Sequence, residues 1–167
     1  MRRRAVLVVS VAAVFLALAT VSVLAGPMQT VQISVLTDLD TLPSVPDPFA
    51  ASGAAVTSGV LCATGTVFTG PYNWPPPPSG SVVMVKHFEC ADGAFDVELR
   101  VWLLTGGDTT GIWKVIGGTE SYVHLKGHGT LTGTYDPANN DVLDVYIGKV
   151  AIAGPPPMMP PPWAGGK

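Results

Sequence analysis

In AFDVELRVWLL, residues 94 to 104, Phe95, Val97, Leu99, Val101 and Leu103 fall on one side of an extended backbone, while Asp96, Glu98, Arg100 and Trp102 fall on the other. Successive side chains of a strand point to opposite faces, so this spacing predicts a strand with one buried face. The preceding run, SVVMVKHFEC (81 to 90), reads as a second strand that sends His87 and Glu89 to the face opposite Phe88 and Cys90. Asp92-Gly93 between the two runs is a tight-turn signal, which makes them a hairpin.

The same period recurs along the chain. TVQISVLT alternates Val31, Ile33 and Val35, GVLCATGTVF (59 to 68) is β-rich, and IWKVIGG, GTLTGTY and VLDVYIGKVAI follow, separated by TGGDTTG and DPANND. GPYNWPPPPSG (70 to 80) contains a proline run that can be neither helix nor central strand, so it is a loop. No segment beyond the N-terminal apolar run sustains a helical period. The pattern predicts an all-β fold, a small antiparallel β-barrel of six to eight strands, closed because short meandering strands must hide their edges.

The ends of the chain divide differently. Met1-Arg2-Arg3-Arg4 precedes an uncharged apolar run, and Val23-Leu24-Ala25 puts small residues where a signal peptidase cuts. Residues 1–25 therefore read as an export signal, with retention as a membrane anchor the alternative. Residues 26–50, rich in proline, read as an extended lead-in with a candidate edge strand. The barrel is expected over 51–153, and GPPPMMPPPWAGGK (154–167) as polyproline or disordered tail.

Charge and cysteines narrow the setting. The chain has nine basic and twelve acidic residues, and the signal carries three of the former and none of the latter. What remains has a net charge of −6, its basic residues scattered singly, which excludes nucleic acid as a partner. Membrane contact is expected only through an uncleaved signal. An exported chain with two cysteines, Cys62 and Cys90, is expected to join them, and it should be found outside the cell.

VIGGTESYVHLKGHGTLTG (115 to 133) concentrates glycine and histidine, and it fits neither a P-loop nor the Rossmann spacing. His124 and His128 stand four apart, but flanking glycines work against a rigid helix and no zinc spacing joins them to His87. No metal and no cofactor are expected. The glycines read as backbone punctuation: Gly117 and Gly118 end one strand, where φ can be positive. Gly127 and Gly129 open the next, where a side chain would clash, and Tyr122 and Leu125 plug the barrel end.

WKVIGGTESYVHLKGHGTLTG resembles the segment W-x-V-x-G-G-T-G-x-Y-x-x-L-x-G-x-G-T-x-x-G of secreted bacterial proteins with an allene oxide cyclase-like barrel, and more distantly of plant dirigent proteins. The resemblance runs from about residue 50 to 152, matching Trp113, Gly118, Thr119, Tyr122, Leu125, Gly127 and Gly129 as shape-determining positions. Glu120 stands where glycine is usual, so this turn must tolerate a side chain, and Ile147 stands where threonine is common. The resemblance implies a barrel fold and an apolar ligand or substrate, and it carries over no catalytic residue.

For chemistry, Asp96 and Glu98 share one strand face and could act as an acid/base pair if that face lined a cavity; otherwise they form cross-strand ion pairs on a solvated face. Trp102 and Trp113 are candidates to floor an apolar pocket, with Tyr122 and Tyr146 as further cavity candidates. Asp144 and Tyr146 share a face with Val142 and Gly148. The function expected is a non-catalytic module binding a small apolar molecule or a surface, the alternative being a cyclase or isomerase acting on an apolar substrate inside the barrel.

Overall fold

Eight strands close on one another in a computed structural model of the chain, which describes residues 26–42, 45–70 and 80–154. The expected signal (1–25), the proline run of the 70–80 loop and all but the first residue of the expected tail lie outside the described residues. In chain order the elements are β1 (Gln29–Asp38), β2 (Asp47–Ser52), a short helix α1 (Ala54–Thr57), β3 (Thr64–Thr69), β4 (Ser81–Cys90), β5 (Gly93–Leu103), β6 (Thr109–Gly118), a 3-10 turn (Glu120–Tyr122), β7 (Leu125–Asp136) and β8 (Asp141–Ile152). Each strand pairs antiparallel with the next, and β1 pairs with β8 from Gln29 opposite Val150 to Asp38 opposite Asp141.

That closure revises the boundary expected from sequence. Residues 26–50 are not a lead-in with an edge strand, because β1 and most of β2 lie there and seal the barrel. Val31, Ile33, Val35 and Thr37 all point inward and are buried. Of the prolines that made this region look irregular, Pro27 precedes β1, Pro43 and Pro46 fall in the β1–β2 connection, and Pro48 is exposed on the short strand β2. The strand expected over 59–68 is likewise shorter, because α1 and the turn after it occupy 54–63 and pairing begins at Thr64.

Strand parity sets the inside. Phe88 of β4, Phe95 of β5, Trp113 of β6, Leu125 and Leu131 of β7, and Tyr146 of β8 are at most 3% exposed. Eight strands enclose an interior just wide enough for side chains to fill or for one small ligand, and here the two halves differ. One half is plugged by aromatics: Phe88 stacks on Phe95 with centroids 4.9 Å apart, meets Phe49 edge-on at 5.2 Å and Tyr146 edge-on at 5.9 Å, and Phe95 meets Tyr122 at 5.5 Å. Offset and edge-on pairs of this kind contribute about 0.5–1.5 kcal/mol each beyond burial.

The plug is held by its own turn chemistry. Tyr122, in the 3-10 turn, donates to Asp92 Oδ1 at 2.8 Å from across the β4–β5 hairpin. Burial, together with that carboxylate, pushes its phenol up to about 12. Cys62, after α1, is joined to Cys90 at the end of β4, tying the α1 cap to the barrel wall. Glu120 has φ of 49°, the left-handed conformation that glycine adopts most easily, so this turn does carry a side chain in a conformation that favours glycine. Gly117 and Gly118 do not have positive φ. Gly118 is instead required for space, since a Cβ there would run into the Tyr122 carbonyl.

Candidate functional site: the hollow half of the barrel

Toward the other end the inward side chains shrink. Thr37 of β1, Thr69 of β3, Val82 of β4, Val101 of β5, Thr109 of β6 and Gly133 of β7 replace the aromatic plug, leaving a cavity of about 320 Å³. Its walls are apolar, built from Val82, Met84, Leu99, Val101, Leu131 and Val142. Such a volume and lining suit a small, mainly hydrocarbon guest.

The floor is different. Lys86, 3% exposed, points inward from β4 because it shares parity with Phe88. Its ammonium donates to Thr37 Oγ1 at 3.4 Å and stands 4.0 Å from Asp144 Oδ2 of β8, with Asp47 of β2 near enough to act on it. Burial lowers the lysine's pKa even though the two carboxylates oppose the shift. Asp144 is itself 8% exposed, and its carboxyl is pushed up to about 6 by burial, with Lys86 pulling the other way and Asp47 adding to the rise. Tyr146 lies two residues further along the same inward face, and burial followed by the Asp144 and Asp47 charges raises its phenol well above the usual value.

Several polar atoms here have no hydrogen-bond partner among the described residues: Asp47 Oδ2, Thr69 Oγ1, Thr109 Oγ1 and the Tyr146 hydroxyl. Leaving a buried donor or acceptor unmade costs about 1–3 kcal/mol. A lysine, two aspartates and unpartnered hydroxyls inside a small barrel are thus a stability cost that hydrocarbon at the same positions would not incur. Gly133 makes room for the arrangement, because a Cβ there would strike Thr109 Oγ1 and Asp144 Oδ1.

The residues singled out from sequence divide between the two surfaces. Asp96 and Glu98 lie on the outer face, 40% and 39% exposed at the side chain, so they line no cavity and form no interior acid/base pair. They make cross-strand ion pairs, Asp96 Oδ1 with His87 Nδ1 at 2.6 Å and Glu98 Oε1 with Lys114 at 2.9 Å. Trp102 is 37% exposed on the same outer face and floors no pocket. Trp113, Tyr122 and Tyr146 are all buried, but Tyr122 belongs to the plug, Trp113 packs against Gly129 and Gly148, and of the three only Tyr146 lies close enough to Asp144 and Asp47 to feel their charges. Lys86, Asp47, Thr37, Thr69 and Thr109 were not singled out. For Lys86 the signal was present, since the alternation that sends His87 outward sends Lys86 in with Phe88.

Comparison with known proteins adds no assignment: no protein-family model, no curated protein and no solved structure matches the chain.

Proposed function

We propose that this protein is an exported, non-catalytic binding module that takes a small, mainly apolar molecule into the hollow half of its barrel. The observation that carries the reading is the cavity of about 320 Å³, whose hydrocarbon walls stand above Lys86 and Asp144 and include the unpartnered Thr69 and Thr109 hydroxyls. Export is supported by the N-terminal run of residues 1–25 and by the Cys62–Cys90 disulfide, which belongs to an oxidising setting. Among the described residues no helix is long and apolar enough to cross a membrane. The sequence resemblance to allene oxide cyclase-like and dirigent proteins points toward an apolar guest as well.

The test is a neutral fluorescent probe of fitting size, N-phenyl-1-naphthylamine. It should bind the purified protein saturably, and Val101→Trp, which puts an indole into the cavity, should abolish binding while circular dichroism still reports sheet. A probe that ignores the parent protein, or binds the filled variant equally well, would refute the reading.

One observation favours a second reading, a cyclase or isomerase. Asp144, with its carboxyl near pH 6 and Lys86 beside it, can hold or release a proton close to neutrality, as ring closure or isomerisation of an apolar substrate requires. On that reading Asp144→Asn retains binding but stops turnover of the bound molecule.

A further inference from the structure

Charge is distributed unevenly along the barrel axis. The strand ends and turns around the hollow half carry Asp38, Asp40, Asp108, Asp136 and Asp141, and two more acids, Asp47 and Asp144, are buried below them. That is seven of the chain's twelve acidic residues. The same strand ends and turns have no lysine or arginine among the described residues, and the sequence across 71–79, PYNWPPPPS, adds none. Lys86 is the one cation set between the buried aspartates, so the floor holds two carboxylates against one ammonium.

A guest carboxylate would add a third negative charge to an enclosure of low dielectric. A guest hydroxyl would leave the imbalance as it is. A guest ammonium would neutralise it and donate hydrogen bonds to atoms that lack them, including the unpartnered Thr69 and Thr109 hydroxyl oxygens at the cavity wall. An acidic rim focuses field lines into a cleft with low-dielectric walls and raises the local concentration of cations.

We propose that the guest is a cationic amphiphile, a small hydrocarbon body bearing one protonated amine, whose ammonium sits at Asp144. This rests on the reading of the cavity as a binding site and goes beyond it by fixing the charge of the guest. The groups facing Asp144 are Lys86 from β4, Asp47 from β2 and Tyr146 on its own strand, with Tyr135 of β7 on the cavity wall. Of these, Asp144 is the carboxyl that protonates near pH 6, so acidification should weaken the amine's hold.

The experiment displaces N-phenyl-1-naphthylamine with decylammonium, decan-1-ol or decanoate at pH 7.5 and at pH 5, on the parent protein and on Asp144→Asn. Decylammonium is expected to compete best at pH 7.5, by about tenfold over decanoate, and to lose that advantage at pH 5 and in the variant. The alcohol should change in neither comparison. If decanoate or decanol competes as well as the amine, or if the amine's advantage survives Asp144→Asn, the charge assignment is overturned while the binding site stands. If neither the probe nor any of the three binds, the cavity reading falls and this inference with it.

Discussion

Trp113 shows how a residue's size is matched by what is missing opposite it. Its indole donates to the Thr130 carbonyl at 3.0 Å and lies across Gly129 of β7 and Gly148 of β8, which face each other in the ladder. A Cβ on Gly148 would sit 2.5 Å from Trp113 Cζ2, and one on Gly129 2.7 Å from Trp113 Nε1. Gly148→Ala should therefore lower stability by about 2–3 kcal/mol, and by less when it is made in a Trp113→Leu background. Urea unfolding of the parent, the two single variants and the double variant checks it; the same Gly148→Ala cost in both backgrounds would mean that the backbone contact with the His128 carbonyl, rather than the indole, sets the cost. At this scale the sequence was legible for shape and poorly legible for chemistry. Gly127 and Gly129 announced close approach correctly. Lys86 did not announce burial, because a lone lysine on a strand is ordinarily solvated and only parity with Phe88 marked it as inward.

Each element follows from local pattern, but which elements meet does not. The β4–β5 hairpin was readable from its period and from Asp92-Gly93, and Cys90 at its edge falls where the disulfide to Cys62 closes a separation of 28 residues. On the chain-entropy model that closure contributes about 3–4 kcal/mol. Cys62→Ala with Cys90→Ala should lose about that much in denaturant unfolding, and intact mass of the exported parent protein should fall short of the reduced form by two hydrogen atoms. A double variant as stable as the parent would show that α1 packs onto the barrel without its tether. β1 was seen as a strand but not as the one that seals the barrel, because alternation records a buried face and carries no information about a partner more than a hundred residues away. The hollow half was hidden for a related reason. Whether inward threonines and valines leave a cavity depends on what eight strands bring together, and no single strand contains that information.

For the whole molecule, the polar floor makes stability a function of pH in a direction opposite to that of a paired surface carboxylate. The Asp144 carboxyl is raised from the usual carboxylate value of 3.8 to about 6, so across that window the folded chain holds a proton that the unfolded chain has released. Stability rises with pH where the unfolded state binds more protons, and here it binds fewer. Asp144 therefore costs nothing below the lower value, costs progressively more as pH climbs toward 6, and imposes a constant penalty of at most about 3 kcal/mol above that. Replacing it with asparagine removes the titration and leaves Lys86 matched to Asp47 alone. Asp144→Asn should thus be favoured over the parent by about 1–3 kcal/mol more at pH 7.5 than at pH 4, whatever offset the amide itself introduces. Urea unfolding of both proteins at the two pH values measures the double difference, in which the titrating groups that do not interact with Asp144 cancel. A difference of zero would mean that Asp144 ionises in the fold as it does in the unfolded chain, and that the floor of the cavity is wetter than its burial indicates.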